Sequence, residues 1–247
     1  MKQCPRSAPR APWVWMYHSV DEYVSDPHKI TVNPGRFEEQ MRALARAGLR
    51  GVSMRDLLSS RSRARLVGLT FDDGYSDFVT NAVPILQRFG FTATVYVVAG
   101  RLALSNEWDR DAPRKRIMNA DQARAVELSG MEVGSHTLSH AHLPALEPDE
   151  VHREVTESRA ILEDVIRSRV TGFAYPYGDV TSREVNAVRA AGYQHASAVK
   201  HQPGANGTFA VPRTYIGDVD GPLRLLGKRL HFEYWRARGT TWRRSSA

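Results

Sequence analysis

The sequence predicts an α/β fold in which parallel strands form a barrel surrounded by helices. Short apolar runs alternate along the chain with stretches whose apolar residues recur at helical spacing, a pattern typical of parallel sheets with outer helices. About seven or eight such units occur in one chain of 247 residues, which favours a barrel over an open sheet. Polar clusters directly follow several predicted strands, as expected where the strand ends form a site.

The predicted elements begin with a strand over 13–17. Phe37, Met41 and Leu44 lie at helical spacing and predict a helix over 34–47 that stops at Gly48. The other predicted strands are 49–53, 66–71, 92–99, 131–135, 170–175, 193–199 and 209–215. The other predicted helices are a short one through 57–58, one from Ser76 to Gly90, and those over 120–128, 148–166, 182–190 and 223–236.

The chain divides into a barrel domain over 13–220, a basic N-terminal tail over 1–12, and a basic C-terminal helix and tail over 221–247. The net charge of +7 resides at these two ends. It indicates either solvated tails or attraction to an anionic partner, such as a phosphorylated or lipid-linked sugar or a membrane surface. The sequence contains neither a basic recognition helix nor an aromatic stacking pattern, which argues against a nucleic-acid partner.

Cysteine and hydropathy patterns bear on the compartment. Cys4 is the single cysteine, so neither an internal disulfide nor a cysteine-rich zinc site is possible. The apolar run at 11–16 is too short for a secretory signal, and no run approaches the ~20 residues of a membrane helix. These features predict a cytoplasmic protein.

Two adjacent carboxylates, Asp72 and Asp73, follow the strand predicted over 66–71. They repel each other unless a positive group lies nearby, and Gly74 allows the backbone to turn sharply after them. One carboxylate could then bind a metal while the other remains free as a base. The alternative is an ordinary surface turn, since Asp and Gly are common there.

Two histidines four residues apart, His136 and His140, follow the strand predicted over 131–135, and His142 is a spare candidate. Both rings could face one ion, and with Asp73 they would leave coordination positions open. That ligand set suits a catalytic zinc, or Co²⁺, Mn²⁺ or Fe²⁺. The alternative is a polar loop with unconnected histidines.

These motifs resemble those of the NodB-homology polysaccharide deacetylases, the fourth carbohydrate esterase family. The resemblance rests on Thr-Phe-Asp-Asp-Gly at 70–74 and Ser-His-Thr-x-x-His at 135–140, and extends from Tyr-His-Ser at 17–19 through Phe-Ala-Tyr-Pro-Tyr-Gly at 173–178 to Pro-Arg at 212–213. It implies a distorted (β/α) barrel, often of seven strands, that removes acetyl groups from sugars. It also implies a divalent cation, with Zn²⁺ favoured and Co²⁺, Mn²⁺, Fe²⁺ and Ni²⁺ as alternatives.

The resemblance also implies roles for individual residues. Asp72 corresponds to the general base, and Asp73, His136 and His140 to the metal ligands. The backbone N–H of Tyr177 corresponds to a donor to the tetrahedral oxyanion. The segment around it could also be a plain turn.

Two positions depart from the family pattern. Ala174 stands where the family often has an arginine that pairs with the base, and Arg213 is the candidate replacement, unless it is a surface arginine. The late family histidine has no good counterpart, because His231 lies in the predicted basic helix. Members of the circularly permuted poly-N-acetylglucosamine deacetylase type carry this histidine near the N-terminus, so His18 is the candidate general acid. A structural histidine under the barrel mouth is the alternative.

Trp108, in the long irregular loop at 100–118, is a candidate wall for a sugar ring or a packing lid. Tyr175 and Pro176 are further candidates for substrate binding. The favoured function is a metal-dependent N-deacetylase that acts on an acetamido group of a sugar or sugar-containing metabolite and releases acetate. The alternatives are a related hydrolase of a non-carbohydrate amide or cyclic imide, and an inactive glycan-binding barrel.

Overall fold

The computed structural model of the chain describes residues 11–201, Ala205 and 207–237, with the backbone alone at Lys200, His201 and Ala237. Most of the tail predicted over 1–12 therefore lies outside the described residues, as do Cys4 and the arginines after 237. Within the described part of the chain, no helix is long and apolar enough to cross a membrane.

The described residues form thirteen strands and seven α-helices. The strands are β1 (Val14–Tyr17), β2 (Ser19–Val20), β3 (Thr31–Val32), β4 (Arg50–Val52), β5 (Leu66–Phe71), β6 (Thr94–Val97), β7 (Glu132–Ser135), β8 (Gly172–Ala174), β9 (Asp179–Val180), β10 (His195–Ala198), β11 (Lys200–His201), β12 (Val211–Pro212) and β13 (Thr214–Tyr215). The helices are α1 (Pro34–Arg46), α2 (Met54–Ser59), α3 (Val83–Arg88), α4 (Ala120–Leu128), α5 (Pro148–Ile166), α6 (Ser182–Ala190) and α7 (Pro222–Ala237).

Eight strands follow one another in a single sheet in the order β12, β10, β8, β7, β6, β5, β1 and β13, and β4 pairs with β5 beside them. All pairings in this sheet are parallel. The predicted parallel barrel with outer helices is confirmed, but it has eight strands where the family resemblance implied seven.

The segment over 211–215 brings the two edges of the sheet together. Its first part, β12, pairs with β10, and its second part, β13, pairs with β1 at the opposite edge. Arg213 is the one residue between the two strands. Because Arg213 interrupts the strand predicted over 209–215, one strand becomes two, which accounts for the higher count.

Local sequence explains how α1 begins and which face it buries. The Asn33 side chain caps the helix by accepting a hydrogen bond from the Gly35 N–H at 2.9 Å, and Pro34 fits the first turn because it needs no N–H there. Phe37, Met41 and Leu44 then place their side chains on one face, where all three are buried against the sheet.

The helix predicted from Ser76 has a different start. A π-helical turn occupies Phe78–Ala82 before α3, because Pro84 has no N–H to donate to the carbonyl four residues earlier. Asp77 precedes this turn, and its carboxylate accepts hydrogen bonds from the Ser19 hydroxyl at 2.7 Å and the Val20 N–H at 3.1 Å. The start of the helix is thereby fixed to β2.

A cluster of fully buried aromatic side chains holds β1 beside β5. The Tyr17 and Phe71 rings stack with centroids 5.1 Å apart, and Phe78 lies 4.8 Å from Phe71. Burying each such side chain contributes roughly 1.5–3 kcal/mol relative to leaving it exposed. The packing fixes the carboxyl ends of the two strands side by side, where His18 and Asp72 follow directly.

Helix α7 packs against the barrel. Phe232 stacks on Trp13 with ring centroids 5.9 Å apart, and both Phe232 and Leu225 are buried in the main core. The segment predicted as a separate C-terminal helix therefore shares a core with the strands.

Candidate active site

Asp73, His136 and His140 converge at the carboxyl ends of β5 and β7, and all three are buried. The Nε2 atoms of His136 and His140 lie 3.5 Å and 3.3 Å from Asp73 Oδ1. That oxygen has no hydrogen-bond donor among the described residues. A buried carboxylate oxygen without a donor is costly, so its burial beside two imidazole nitrogens points to a cation between them.

The spacing of the three donor atoms fits one metal ion. Two ligand atoms held tetrahedrally at ~2.0–2.1 Å from a zinc ion lie roughly 3.3 Å apart, close to the two distances measured from Asp73 Oδ1. All the donor atoms lie within 4.8 Å of one another. Two imidazole nitrogens and a carboxylate oxygen suit zinc and its first-row neighbours, so these three residues are suitable ligands for such a cation.

His136 is held in the orientation that a ligand requires. Its Nδ1 lies 2.8 Å from the Ala174 carbonyl oxygen, which fixes the proton on Nδ1 and leaves the Nε2 lone pair facing Asp73. Burial lowers the pKa of His136 to about 4, against the opposing influence of Asp72. The ring is therefore neutral at physiological pH, as a metal ligand must be.

The loop carrying the histidines has an unusual backbone. Thr137 and His140 both adopt positive φ, 69° and 65°, and the Thr137 hydroxyl accepts the His140 N–H at 3.0 Å. This conformation turns His140 back towards His136 and Asp73. Non-glycine residues rarely adopt a positive φ, so other parts of the fold must hold this loop in place.

Glu154 of α5 supplies that support. Its carboxylate accepts the backbone N–H groups of Leu138 and Ser139 at 2.9 and 3.0 Å, and the Ser139 hydroxyl at 2.6 Å. On the other side of the loop, the Gly100 N–H donates to the Leu138 carbonyl at 2.8 Å. A Cβ at Gly100 would lie 2.6 Å from that carbonyl oxygen, so only glycine allows this approach.

Asp72 makes a bidentate ion pair with Arg213. The two guanidinium NH groups lie 2.6 and 2.8 Å from the two carboxylate oxygens, and both side chains are buried. Burial alone would raise the pKa of Asp72, but Arg213, with His136 and His18, outweighs it and lowers the pKa below its usual value. Asp72 is thus a buried carboxylate kept ionised by a fixed cation.

His18, at the end of β1, lines the same cavity as Asp72 and Asp73. Its ring is partly buried, and the buried Nδ1 has no hydrogen-bond partner among the described residues. The cavity has a volume of about 220 Å³. Its lining consists of Met16, His18, His28, Ile30, Asp72, Asp73, Trp108, Asp109, His136, His140, Tyr177, Gly178, Val199 and Arg213.

Comparison with known proteins then identifies the family. The polysaccharide deacetylase family model matches residues 59–196, more than half of the chain. The chain belongs to the polysaccharide deacetylase family. It is an enzyme of that type, a hydrolase acting on non-peptide C–N bonds, as the sequence motifs predicted.

Individual relatives agree with this assignment. The chain is 25% identical over 212 residues to YxkH of Bacillus subtilis, provisionally named a polysaccharide deacetylase, covering 82% of this chain and 70% of that protein. It is 21% identical over 201 residues to a poly-β-1,6-N-acetyl-D-glucosamine N-deacetylase of Staphylococcus aureus, covering 76% and 68%. Among solved structures, the deacetylase PplD of Streptococcus pyogenes superposes with a TM-score of 0.73 at 25% identity, covering 90% of this chain and 98% of that one.

Aromatic residues border the cavity of this deacetylase on the side of His140. The Trp108 ring stacks on the His140 ring with centroids 4.5 Å apart, and the Tyr177 ring meets its edge at 4.9 Å. Tyr177 has φ of 60° and is half exposed. Trp108 therefore packs on a candidate metal ligand and lines the cavity at the same time.

Two residues predicted to bind substrate do not line the cavity. Tyr175 is buried, and its hydroxyl donates to the Phe209 carbonyl oxygen at 2.9 Å, so its ring points into the protein core. Pro176 is likewise buried and absent from the lining. The hydrogen bond from Tyr175 instead anchors the segment that carries Tyr177.

Three residues at or near the site had no signal in the sequence. His28 and Asp109 line the cavity, and Glu154 braces the histidine loop. Burial and the nearby Asp73 raise the pKa of Asp109. None of the three belongs to a motif, and only the packing of helices and loops brings them to the site.

Proposed function

We propose that this enzyme is a metal-dependent N-deacetylase that hydrolyses the acetamido group of a sugar or sugar-containing metabolite and releases acetate. One observation carries the proposal. Within a single dipeptide, Asp72 is an arginine-bound carboxylate, while Asp73 offers an unsatisfied oxygen to two imidazoles. The name of the staphylococcal relative, an N-deacetylase of poly-β-1,6-N-acetyl-D-glucosamine, supports a sugar substrate.

Asp73, His136 and His140 are the residues that would hold the cation. Their donor atoms favour Zn²⁺, with Co²⁺, Mn²⁺, Fe²⁺ and Ni²⁺ as alternatives. When bound, the cation would act as a Lewis acid on the acetyl carbonyl and lower the pKa of water.

Asp72 would act as the general base. It would accept a proton from the water that adds to the acetyl carbon, and it must be ionised to do so. The Arg213 ion pair keeps the pKa of Asp72 low and fixes the plane of the carboxylate. The base is therefore available and oriented at neutral pH.

His18 would act as the general acid. As the C–N bond breaks, it would give a proton to the leaving nitrogen, so that the products are acetate and a free amine. The backbone N–H of Tyr177 would donate to the oxyanion, and one such donor can contribute roughly 10²–10³ in rate. The rings of Trp108 and Tyr177, at the cavity edge, would contact the sugar.

The test measures bound metal and acetate release together. The substrates are acetylated chitooligosaccharides and nucleotide-linked N-acetylglucosamine. Asp73→Ala should lose both metal and activity. Asp72→Asn should retain the metal while activity falls by ~10²–10⁴. Asp164→Asn, at an exposed position of α5, is the matched control and should change neither.

Two results would contradict the proposal at different points. Bound metal without acetate release from any sugar would redirect the enzyme to a non-carbohydrate amide or cyclic imide. Failure to bind metal, even after reconstitution of the purified protein, would overturn the ligand assignment of Asp73, His136 and His140.

A further inference from the structure

Tyr75 is a fully buried tyrosine whose hydroxyl has no hydrogen-bond partner in the part of the chain that the structure describes. A buried hydroxyl without a partner is costly, and folded proteins nearly always satisfy such groups. The other buried tyrosines of the described chain follow that rule. Their hydroxyl partners are Gln40 for Tyr17, Ser197 for Tyr96, Phe209 for Tyr175 and Val155 for Tyr193. Tyr75 is the exception among them, so its hydroxyl is available to another group.

The backbone fixes the position of Tyr75. Asp73 and Gly74 both adopt positive φ, 70° and 75°, so the chain turns sharply directly after the carboxylates that follow β5. Tyr75 then pairs with Ile117 in an antiparallel bridge. Next to this bridge, the Met118 N–H donates to the Gly74 carbonyl oxygen at 2.9 Å. The tyrosine is therefore anchored to the end of the long loop at 100–118, two residues from Asp73.

The Asp73 carboxylate is the anionic group that the Tyr75 side chain meets. Burial is the largest cause that raises the pKa of Tyr75, and the Asp73 carboxylate is the next, through its charge and its closeness to the hydroxyl. Asp73 Oδ1 is itself buried without a donor from the described residues. A buried donor and a buried anionic acceptor therefore lie beside each other at a candidate metal ligand. Tyr75 does not line the cavity, so it can act on the carboxylate but not on a substrate.

We propose that Tyr75 is a positioning residue whose hydroxyl donates a hydrogen bond to the Asp73 carboxylate and holds it in the orientation of a metal ligand. The inference rests on the proposed function, because it takes Asp73, His136 and His140 as the ligands. A carboxylate ligand has two oxygens, and a donor beside it fixes which oxygen faces the cation. A phenol is protonated at neutral pH, so its hydroxyl can serve as that donor.

The experiment measures the affinity of the metal-depleted, full-length protein for Zn²⁺ by competition with a chelator. Tyr75→Phe removes only the hydroxyl and should weaken the affinity by at least about ten-fold. Tyr193→Phe is the matched control, because it removes a buried hydroxyl that donates to the Val155 carbonyl oxygen at 3.1 Å and does not line the cavity. The control should bind Zn²⁺ with native affinity, although its midpoint of urea unfolding should fall.

Two further measurements separate a positioning role from a purely structural one. The visible absorption of bound Co²⁺ reports how its ligands are arranged, so it should change in Tyr75→Phe and stay native in Tyr193→Phe. Excess Zn²⁺ should raise the unfolding temperature of Tyr75→Phe less than that of the native protein, since weaker binding gives less stabilisation. A hydroxyl with only a structural role would instead lower the unfolding temperature equally with and without the metal.

Native Zn²⁺ affinity in Tyr75→Phe, or equal weakening in both variants, would overturn the inference and leave the proposed function standing. Failure of the native protein to bind any metal would overturn the ligand assignment of Asp73, His136 and His140, and this inference with it. Binding is measured without turnover, so the identity of the substrate affects neither result.

Discussion

At the scale of single residues, the Asp72-Asp73 dipeptide shows how neighbouring carboxylates acquire different environments. Asp73 adopts a φ of 70°, which an aspartate tolerates better than most residues, and its side chain turns towards the histidines. Asp72 keeps its carboxylate on Arg213. The repulsion expected between adjacent negative charges is therefore relieved on both sides, by a guanidinium at one and a candidate cation site at the other.

The Asp72–Arg213 pair predicts a shift in the pH profile. Arg213 lowers the pKa of Asp72, and a general base works only when ionised, so activity rises as pH passes upward through that pKa. Arg213→Gln removes the cation and raises the pKa. The acid limb of kcat/KM should therefore move to higher pH, by about one pH unit or more.

The profile is measured with saturating metal in native enzyme and variant. Arg55→Gln is the control, because Arg55 pairs with Glu127 at 2.8 Å and does not line the cavity. An unchanged acid limb in Arg213→Gln would show that Asp72 does not set it.

At the scale of elements, the histidine loop depends on a helix that contributes nothing to the cavity lining. The loop takes two positive φ angles, and its N–H groups at Leu138 and Ser139 bind the Glu154 carboxylate of α5. The barrel strand β7 delivers His136, but α5 determines where His140 lies. The ligand geometry thus requires both layers of the fold.

Glu154→Gln should weaken metal affinity by ~10–100-fold, because an amide offers one acceptor oxygen where the carboxylate offers two. Competition with a chelator measures the affinity. Glu157→Gln, at an exposed position of the same helix, should leave it unchanged. Native affinity in Glu154→Gln would mean that the loop holds its shape without the carboxylate.

At the scale of the whole molecule, the C-terminal part of the chain completes the fold. The segment over 211–215 pairs with both edges of the sheet, and α7 then covers Trp13 at the start of β1. The first strand, the last strands and the last helix therefore stabilise one another.

Phe232→Ala should lower the free energy of unfolding by about 3 kcal/mol, because a buried aromatic ring leaves a cavity beside Trp13. Urea unfolding measures the change. Leu230→Ala is the control, since an exposed leucine of the same helix should cost little. If Phe232→Ala lowered the free energy of unfolding as little as Leu230→Ala does, α7 would contribute little to the stability of the barrel.

Stability should also respond to acid through Glu132, at the amino end of β7. Burial would raise the pKa of Glu132, but His195 and the hydrogen bonds from Thr94 and the Arg55 N–H lower it from 4.5 to about 2. Because the folded pKa is depressed, this contribution is present above about pH 4.5 and is lost as pH falls through about 2.

Denaturant titrations from about pH 6 to about pH 2 cover the interval between the two pKa values, 4.5 and about 2, and test this dependence. In Glu132→Gln, the free energy of unfolding should vary less with pH across that interval than in the native enzyme. Glu157→Gln should follow the native curve. Parallel curves for Glu132→Gln and the native enzyme would exclude Glu132 as a source of the acid sensitivity.

The sequence by itself determined the parallel barrel, the family, and the candidate ligands and base, because these depend on local patterns. Apolar alternation places the strands, and short motifs place Asp72, Asp73, His136 and His140 at their carboxyl ends. The ends of strands were less well predicted where one residue interrupts a strand, as Arg213 does between β12 and β13.

Only the tertiary structure decided which distant residues support the site. The family resemblance made Arg213 a candidate partner of Asp72, but a surface arginine was the alternative, and the contact across 141 positions forms because the last strands close the barrel. Glu154, His28 and Asp109 approach the site through helix and loop packing that no motif encodes, and the same packing turns Tyr175 away into the core. Local sequence specifies strands and turns, whereas contacts between distant segments depend on how the whole barrel closes.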